Sequence, residues 1–209
     1  MKQASKGQKT REHILEQGLQ LFNDKGYHGT GLKEILDAAG IPKGSFYHYF
    51  ESKEHFAVEI INHYRALEFD RWDSYFKDHD GCRLSQIRTV LDIIIEEYSQ
   101  HTAKIGCLIA NLSGELANSS PYFRSAIQAA TELVLECIEK DMTIAQQQGS
   151  LRTDIPPRQL ALLFWDSWQG AMLRMKVSRS TAPLKNTVTL LLDNLFLASN
   201  QQQTIGMDT

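Results

Sequence analysis

Gly40-Ile41-Pro42-Lys43-Gly44-Ser45-Phe46-Tyr47-His48-Tyr49-Phe50-Glu51-Ser52-Lys53 is the stretch whose reading decides the fold. Gly40 closes one helix. Pro42 suits the first turn of the next, where a missing N–H costs nothing. The short helix predicted over about 42–49 is unusually aromatic. Phe46 and Phe50 stand one turn apart and anchor inward, which leaves Lys43, Gly44, Ser45, Tyr47 and His48 on the outer side. Upstream, Leu32, Ile35 and Leu36 share a face of a helix over about 32–39 that starts at Gly31 or Thr30, with Glu34 in its first turn. Two short helices joined through Ala39-Gly40-Ile41-Pro42 make a helix-turn-helix pattern. Lys43 suits a phosphate or a guanine edge, and the hydroxyls of Ser45 and Tyr47 suit phosphates or base edges. Gly44 lets backbone approach a groove closely. The helix N-termini near Thr30 and Ser52 favour phosphate, with Lys53 beside the second. On periodicity alone the same residues also fit a helical hairpin with an aromatic core and a solvated basic face.

The rest of the chain reads as helix on both sides. Ile14, Leu15, Leu19, Leu21 and Phe22 recur at helical spacing over 10–25, and Gly26 stops that helix. Ser52 caps a long helix carrying Phe56, Ile60, Ile61, Tyr64, Leu67 and Phe69, and a loop follows near 78–81. Further helices are predicted over about 84–99, 107–116, 122–148, from 154–157 to 176, and after Pro183. Strand-like alternation is nearly absent. The expected architecture is all-α with about nine helices. Residues 1–53 form a helix-turn-helix head, 54–200 a helical sensing and dimerisation body, and 201–209 a polar tail.

Composition narrows the function. With 209 residues, 42% of them hydrophobic, the chain can bury a substantial core. The net charge of −3 excludes a protein that is basic throughout. Residues 1–66 nevertheless carry +1 against −4 for the remainder, so phosphate would meet the N-terminal part. Cys82, Cys107 and Cys137 are widely spaced with no CxxC pair, which suggests neither zinc nor a disulfide framework. His13, His55 and His63 have no ligand-like spacing, and no metal or cofactor is expected. There is no phosphate-binding glycine loop, HExxH or nucleophile elbow, so an enzyme is not expected. No apolar run approaches membrane-spanning length and the N-terminus lacks an apolar signal core, which points to a cytoplasmic protein.

The string from Gly26 to Lys53 resembles the DNA-binding signature of TetR-family regulators. The resemblance implies a homodimer whose N-terminal heads grip a palindromic operator. It also implies a body that binds an inducer and whose last two helices pair with their copies in a four-helix bundle. Carried over by position, Lys43, Gly44, Ser45, Tyr47 and His48 face DNA, while Thr30 and Lys53 hold its backbone; Gly31 stands where the family often has a second Thr or Ser. A second likeness runs through Gly106-Cys107-Leu108, Ser113-Gly114-Glu115-Leu116, Gly170 and 176–184. It is similar to the NemR-type branch, repressors that sense reactive electrophiles. That resemblance implies Cys107 as the sensor and Lys176 as its partner. Covalent release through Cys107 competes with release by a reversibly bound lipophilic molecule, for which Trp165, Trp168 and Met172 would line a pocket if they are not simply core. A helical interaction module that never meets DNA is the reading from another class.

Overall fold

A computed structural model of the chain describes residues 5–77, 80–100 and 106–198. Among these residues every regular element is helical, apart from one isolated antiparallel bridge between Leu151 and Leu197. The helices are α1 (Lys6–Lys25), α2 (Leu32–Ala39), α3 (Lys43–Tyr49), α4 (Lys53–Lys77), α5 (Arg83–Gln100), α6 (Leu108–Leu116), α7 (Pro121–Gln147), α8 (Pro157–Ser178) and α9 (Ala182–Leu190). A single π-type turn, Leu191–Leu195, extends α9. The expected tail over 201–209 lies outside the described residues.

The termini of these helices follow from local chemistry. α1 begins four residues earlier than its apolar pattern suggests, because Ser5 and Gln8 form a reciprocal capping box: Gln8 N–H donates to Ser5 Oγ (3.2 Å) and Ser5 N–H donates to Gln8 Oε1 (3.0 Å). Ser52 caps α4 by accepting the His55 N–H at 3.0 Å, and the His55 ring accepts the Glu51 N–H at 3.2 Å. Gly40 ends α2 in the left-handed conformation (φ 63°, ψ 33°), where L side chains are disfavoured.

The chain divides into two compact units. The first comprises Met1–Phe69 and Leu108–Ala130, the second Asp70–Cys107 and Thr131–Thr209. The first unit therefore holds more chain than the 1–53 head expected from the sequence. The physical reason lies in its α1–α2 turn: the Tyr27 ring meets the Phe123 ring edge-on at 5.2 Å, and the Glu115 carboxylate accepts backbone N–H groups from the same turn. Its core is Ile14, Leu15, Phe22, Ile35, Phe46, Phe50, Phe56, Ile60 and Ile61, all buried. Gly18 makes the approach of α1 to α4 possible, since a Cβ there would lie 2.3 Å from Phe56 Cζ. The core of the second unit includes Val90, Leu91 and Ile95 of α5, Leu160, Phe164, Met172 and Met175 of α8, and Leu184, Val188, Leu192 and Phe196 near the C-terminus.

Candidate nucleic-acid interface and sensor cysteine

The recognition helix α3 is held from below by aromatic packing. Phe46 is fully buried, and its ring lies 5.2 Å from those of both Phe50 and Phe56. Phe50 and Phe56 are themselves 4.7 Å apart in an edge-on arrangement. Offset and edge-on aromatic pairs add to simple area burial, so a seven-residue helix too short to be stable alone is fixed on the N-terminal end of α4. The opposite side is free. Lys43, Gly44, Tyr47 and His48 are exposed and Ser45 is half-buried. Tyr47 is 47% exposed, a large value for an aromatic residue in a well-packed head, and the Lys43 ammonium lies 5.8 Å from its ring centroid. A Cβ built on Gly44 meets nothing within 4 Å, so that position presents bare backbone. The helix thus offers a cation, hydroxyls and an open backbone on one side.

Two residues assigned by position to the DNA backbone are placed differently. Thr30 is fully buried. Its hydroxyl donates to the carbonyls of Gly26 (2.8 Å) and Leu21 (3.3 Å), and its N–H donates to the Tyr27 carbonyl at 3.3 Å. Both donors of Thr30 are thus engaged inside the protein, on α1 and the α1–α2 turn, and its hydroxyl points inward. It is not the cap of α2 either, since Gly31 occupies that position without a side-chain hydrogen bond. Lys53 is half-buried and its ammonium donates to the Tyr27 carbonyl at 2.6 Å, lying 4.0 Å from the centroid of the Tyr27 ring. Burial pulls its pKa below the ordinary lysine value, while the Glu115 carboxylate opposes the shift. Two of its ammonium hydrogens remain for other acceptors.

Sequence reasoning missed Glu115. On α6, its carboxylate accepts the N–H of Tyr27 (3.0 Å) and the N–H of His28 (2.5 Å). The turn it grips is built to admit it: Gly26 has φ +72°, and a Cβ there would lie 2.6 Å from Glu115 Oε2. The contact spans 87 and 88 positions of sequence, and no local pattern announces it.

In the second unit Cys107 is buried at the residue preceding α6, and Lys176 lies within electrostatic range of it. Desolvation lowers the Lys176 pKa, and the Cys107 charge acts against that shift. An ammonium near a thiol favours the reactive thiolate. The other cysteines differ. Burial pushes the Cys137 thiol up to about 11, with Asp141 and Asp73 adding to the shift. Cys82 is exposed at the start of α5; burial alone would raise its pKa, but hydrogen bonds involving Ser85, Ser150 and Leu84 outweigh that and lower it. Cys82 is therefore an accessible thiol.

Of the three residues considered for a pocket, Trp168 stacks on Phe164 (6.1 Å, 16°) and Met172 is buried, both as core residues, while Trp165 is half-buried. Between Trp165 and Met172 on the same helix, Gln169 buries both polar atoms of its amide with no protein partner. Among the described residues no three His, Cys, Asp or Glu side chains cluster as metal ligands would, and no helix is long and apolar enough to cross a membrane.

A helical chain that mounts an aromatic-backed, hydroxyl-bearing and basic helix behind a glycine turn is built as a DNA-binding transcriptional regulator. Residues 14–60 match the family described as "Bacterial regulatory proteins, tetR family", and residues 84–191 match "Tetracyclin repressor-like, C-terminal domain". The chain belongs to the TetR family. It is 34% identical over 185 residues to the HTH-type transcriptional repressor DhaR of Mycobacterium sp. (strain GP1), covering 88% of this chain and 91% of that one. It is also 34% identical over 179 residues to the HTH-type transcriptional repressor NemR of Escherichia coli (strain K12), covering 86% and 90%. The crystal structure of the reduced form of E. coli NemR superposes with a TM-score of 0.80, covering 88% of this chain and 95% of that one. These relatives are regulators, which sets aside the enzymatic reading.

Proposed function

We propose that this protein is a repressor that binds a palindromic operator as a homodimer and leaves it when an electrophile modifies Cys107. The observation that carries the DNA-binding part is the exposed outer side of α3, where Lys43, Gly44, Ser45, Tyr47 and His48 stand over the buried Phe46. Two such helices related by a twofold axis enter successive major grooves ~34–36 Å apart, and the half-sites are inverted repeats. Lys53 serves the DNA backbone with the ammonium hydrogens that Tyr27 does not take.

The homodimer is supported by the outer side of α8. Leu162, Leu173 and Val177 are exposed at helical spacing, Val177 by 88%, and Gly170 among them leaves room for close helix approach. Exposed apolar side chains in such a row are expected to be covered. Pairing of α8 and α9 with their copies, as the sequence resemblance implies, covers them.

Release is supported by the buried Cys107 within electrostatic range of Lys176, together with the 34% identity to NemR. With N-ethylmaleimide as the electrophile, Cys107 Sγ bonds to one alkene carbon. The alkene π pair moves to the neighbouring carbon, which takes a proton. A ring attached to a buried sulfur does not fit a packed surrounding, so the surrounding must shift. The test is fluorescence anisotropy with the promoter region of the protein's own gene, in a Cys82→Ser background that removes the exposed thiol. N-ethylmaleimide weakens binding by roughly 5–150-fold, the ordinary range of coupling between sites. Cys107→Ser abolishes that effect. Undiminished release of Cys107→Ser would sink the covalent reading.

One observation favours release by a reversibly bound ligand. The unpartnered Gln169 amide, flanked on α8 by Trp165 and Met172, offers one donor and one acceptor to a mostly apolar molecule. Binding to the Cys107→Ser variant of a lipophilic amide or acid that displaces DNA, lost in Gln169→Leu, would establish it.

A further inference from the structure

The Tyr27–His28 turn is held from two directions. Glu115 accepts the Tyr27 and His28 N–H groups, and Lys53 donates to the Tyr27 carbonyl while lying over the Tyr27 ring. These are charge-assisted bonds, stronger than neutral ones, and two of the three fall on Tyr27. That residue sits between α1 and α2, directly upstream of the helix-turn-helix. Thr30 completes the turn from inside with its bonds to Gly26 and Leu21. Lys53 heads α4, against whose first turn Phe46 of α3 is packed through Phe56. The setting of α2 and α3 therefore depends on a carboxylate that belongs to neither.

Glu115 lies near the C-terminal end of α6, a helix of nine residues whose first, Leu108, is bonded directly to Cys107. At ~1.5 Å per residue Glu115 lies about 10 Å along the helix from its first residue, Leu108. Leu108, Ile109 and Leu112 on that helix are buried, so its packed side has no room to absorb added volume without shifting.

We propose that Glu115 is the positioning residue through which the DNA-binding head reads the state of Cys107. The inference rests on the reading of Cys107 given above. While Cys107 is unmodified, α6 holds its carboxylate against the turn and the recognition helix is set for DNA. An adduct on Cys107, formed by the addition already written, shifts the start of α6 and withdraws the carboxylate at its far end. Tyr27 and His28 then lose their acceptor.

The experiment uses the full-length protein in the Cys82→Ser background, with N-ethylmaleimide as the probe and intact mass to confirm one adduct. Two readouts are taken: operator affinity by anisotropy, and amide hydrogen exchange at Tyr27 and His28. In the parent, the adduct weakens binding and speeds exchange at both amides. Glu115→Ala binds operator roughly tenfold more weakly before any treatment, the worth of one charge-assisted bond. It exchanges rapidly at both amides, and a complete adduct causes no further loss. Glu115→Gln keeps an acceptor without the charge and falls between, which holds the test open should the alanine variant fold poorly. Glu115→Ala and Glu115→Gln losing operator affinity on modification by the same factor as the parent would overturn the proposal. So would slow exchange at Tyr27 and His28 in the adduct. Failure of the Cys107 reading gives a different pattern: the modified parent keeps its operator affinity.

Discussion

Replacing Thr30 with valine separates two roles that a residue at this position can have. If its hydroxyl met a DNA phosphate, the variant would fold normally and bind DNA with one phosphate contact fewer. The structure assigns the hydroxyl inward, fully buried, with bonds of 2.8 Å to the Gly26 carbonyl and 3.3 Å to the Leu21 carbonyl. Valine has nearly the same shape, so no cavity opens and the loss is the hydrogen bonding alone. A net hydrogen bond contributes about 1 kcal/mol, and the Gly26 carbonyl left without its partner adds a desolvation cost, for a total of about 1–2 kcal/mol. At roughly 2–4 °C per kcal/mol for a chain of this size, the melting temperature should fall by ~2–8 °C. Well below that temperature, operator affinity and the slope of log affinity against log salt should match the parent. Differential scanning fluorimetry and anisotropy across a salt series measure both. An unchanged melting temperature with weakened operator affinity would refute the inward assignment and restore the phosphate contact.

Lys43→Ala and Tyr47→Ala should each weaken operator binding by about 1–3 kcal/mol with no change in melting temperature or oligomeric state, since both side chains are exposed; loss of the dimer in either would mean a core residue has been misread. Phe46→Ala, by contrast, empties the centre of the Phe50–Phe56 cluster and should cost about 3–5 kcal/mol of stability as well as DNA binding, measured by urea unfolding and anisotropy. Asp141 is a buried carboxyl whose pKa is raised chiefly by burial, against the opposing pull of the Trp72 N–H (3.1 Å) and Arg83. The folded state thus binds its proton more tightly than the unfolded state, so this group stabilises the fold below the ordinary aspartate value and the benefit is lost as pH rises through the raised one. Asp141→Asn, which still accepts from Trp72, should flatten melting temperature against pH across that window and be at least as stable as the parent above it; a variant markedly less stable above the window would show that the Arg83 ion pair outweighs the burial.

Much of the fold is legible because its signals are local. Gly26, Gly40, Ser52 and the pair Pro156-Pro157 each mark a helix boundary through backbone chemistry that acts within a few residues, and the apolar periodicity between them is long enough to be unambiguous. The outer side of α3 is legible for the same reason: once Phe46 and Phe50 face inward, helical geometry dictates what faces out. The misreadings have a different character. Thr30 belongs to a motif position, but the direction of its hydroxyl is set by how the α1–α2 turn closes on Gly26, which spacing does not encode. The Glu115 contact with Tyr27 joins distant parts of the chain, and a glutamate on a helix otherwise reads as solvated. Cys82 was within reach of the sequence, since a thiol just ahead of the first turn of a helix is open to the N–H groups that lower its pKa. The earlier start of α1 was also readable, as Ser5 and Gln8 stand at capping-box spacing within the basic N-terminal run.

The first unit holds several of its cations on a short leash. Arg11 is paired with Glu59, Lys25 with Glu34, Lys33 with Asp37, and Lys53 with the Tyr27 carbonyl. Random chromosomal sequence attracts a regulator almost wholly through phosphate charge, and each positive group already paired with a carboxylate, as Arg11, Lys25 and Lys33 are, exerts less of that pull. Such a protein spends less of its time parked on irrelevant DNA. Its residence at the operator then depends on the few side chains that read bases, and discrimination is gained by loosening the grip everywhere else.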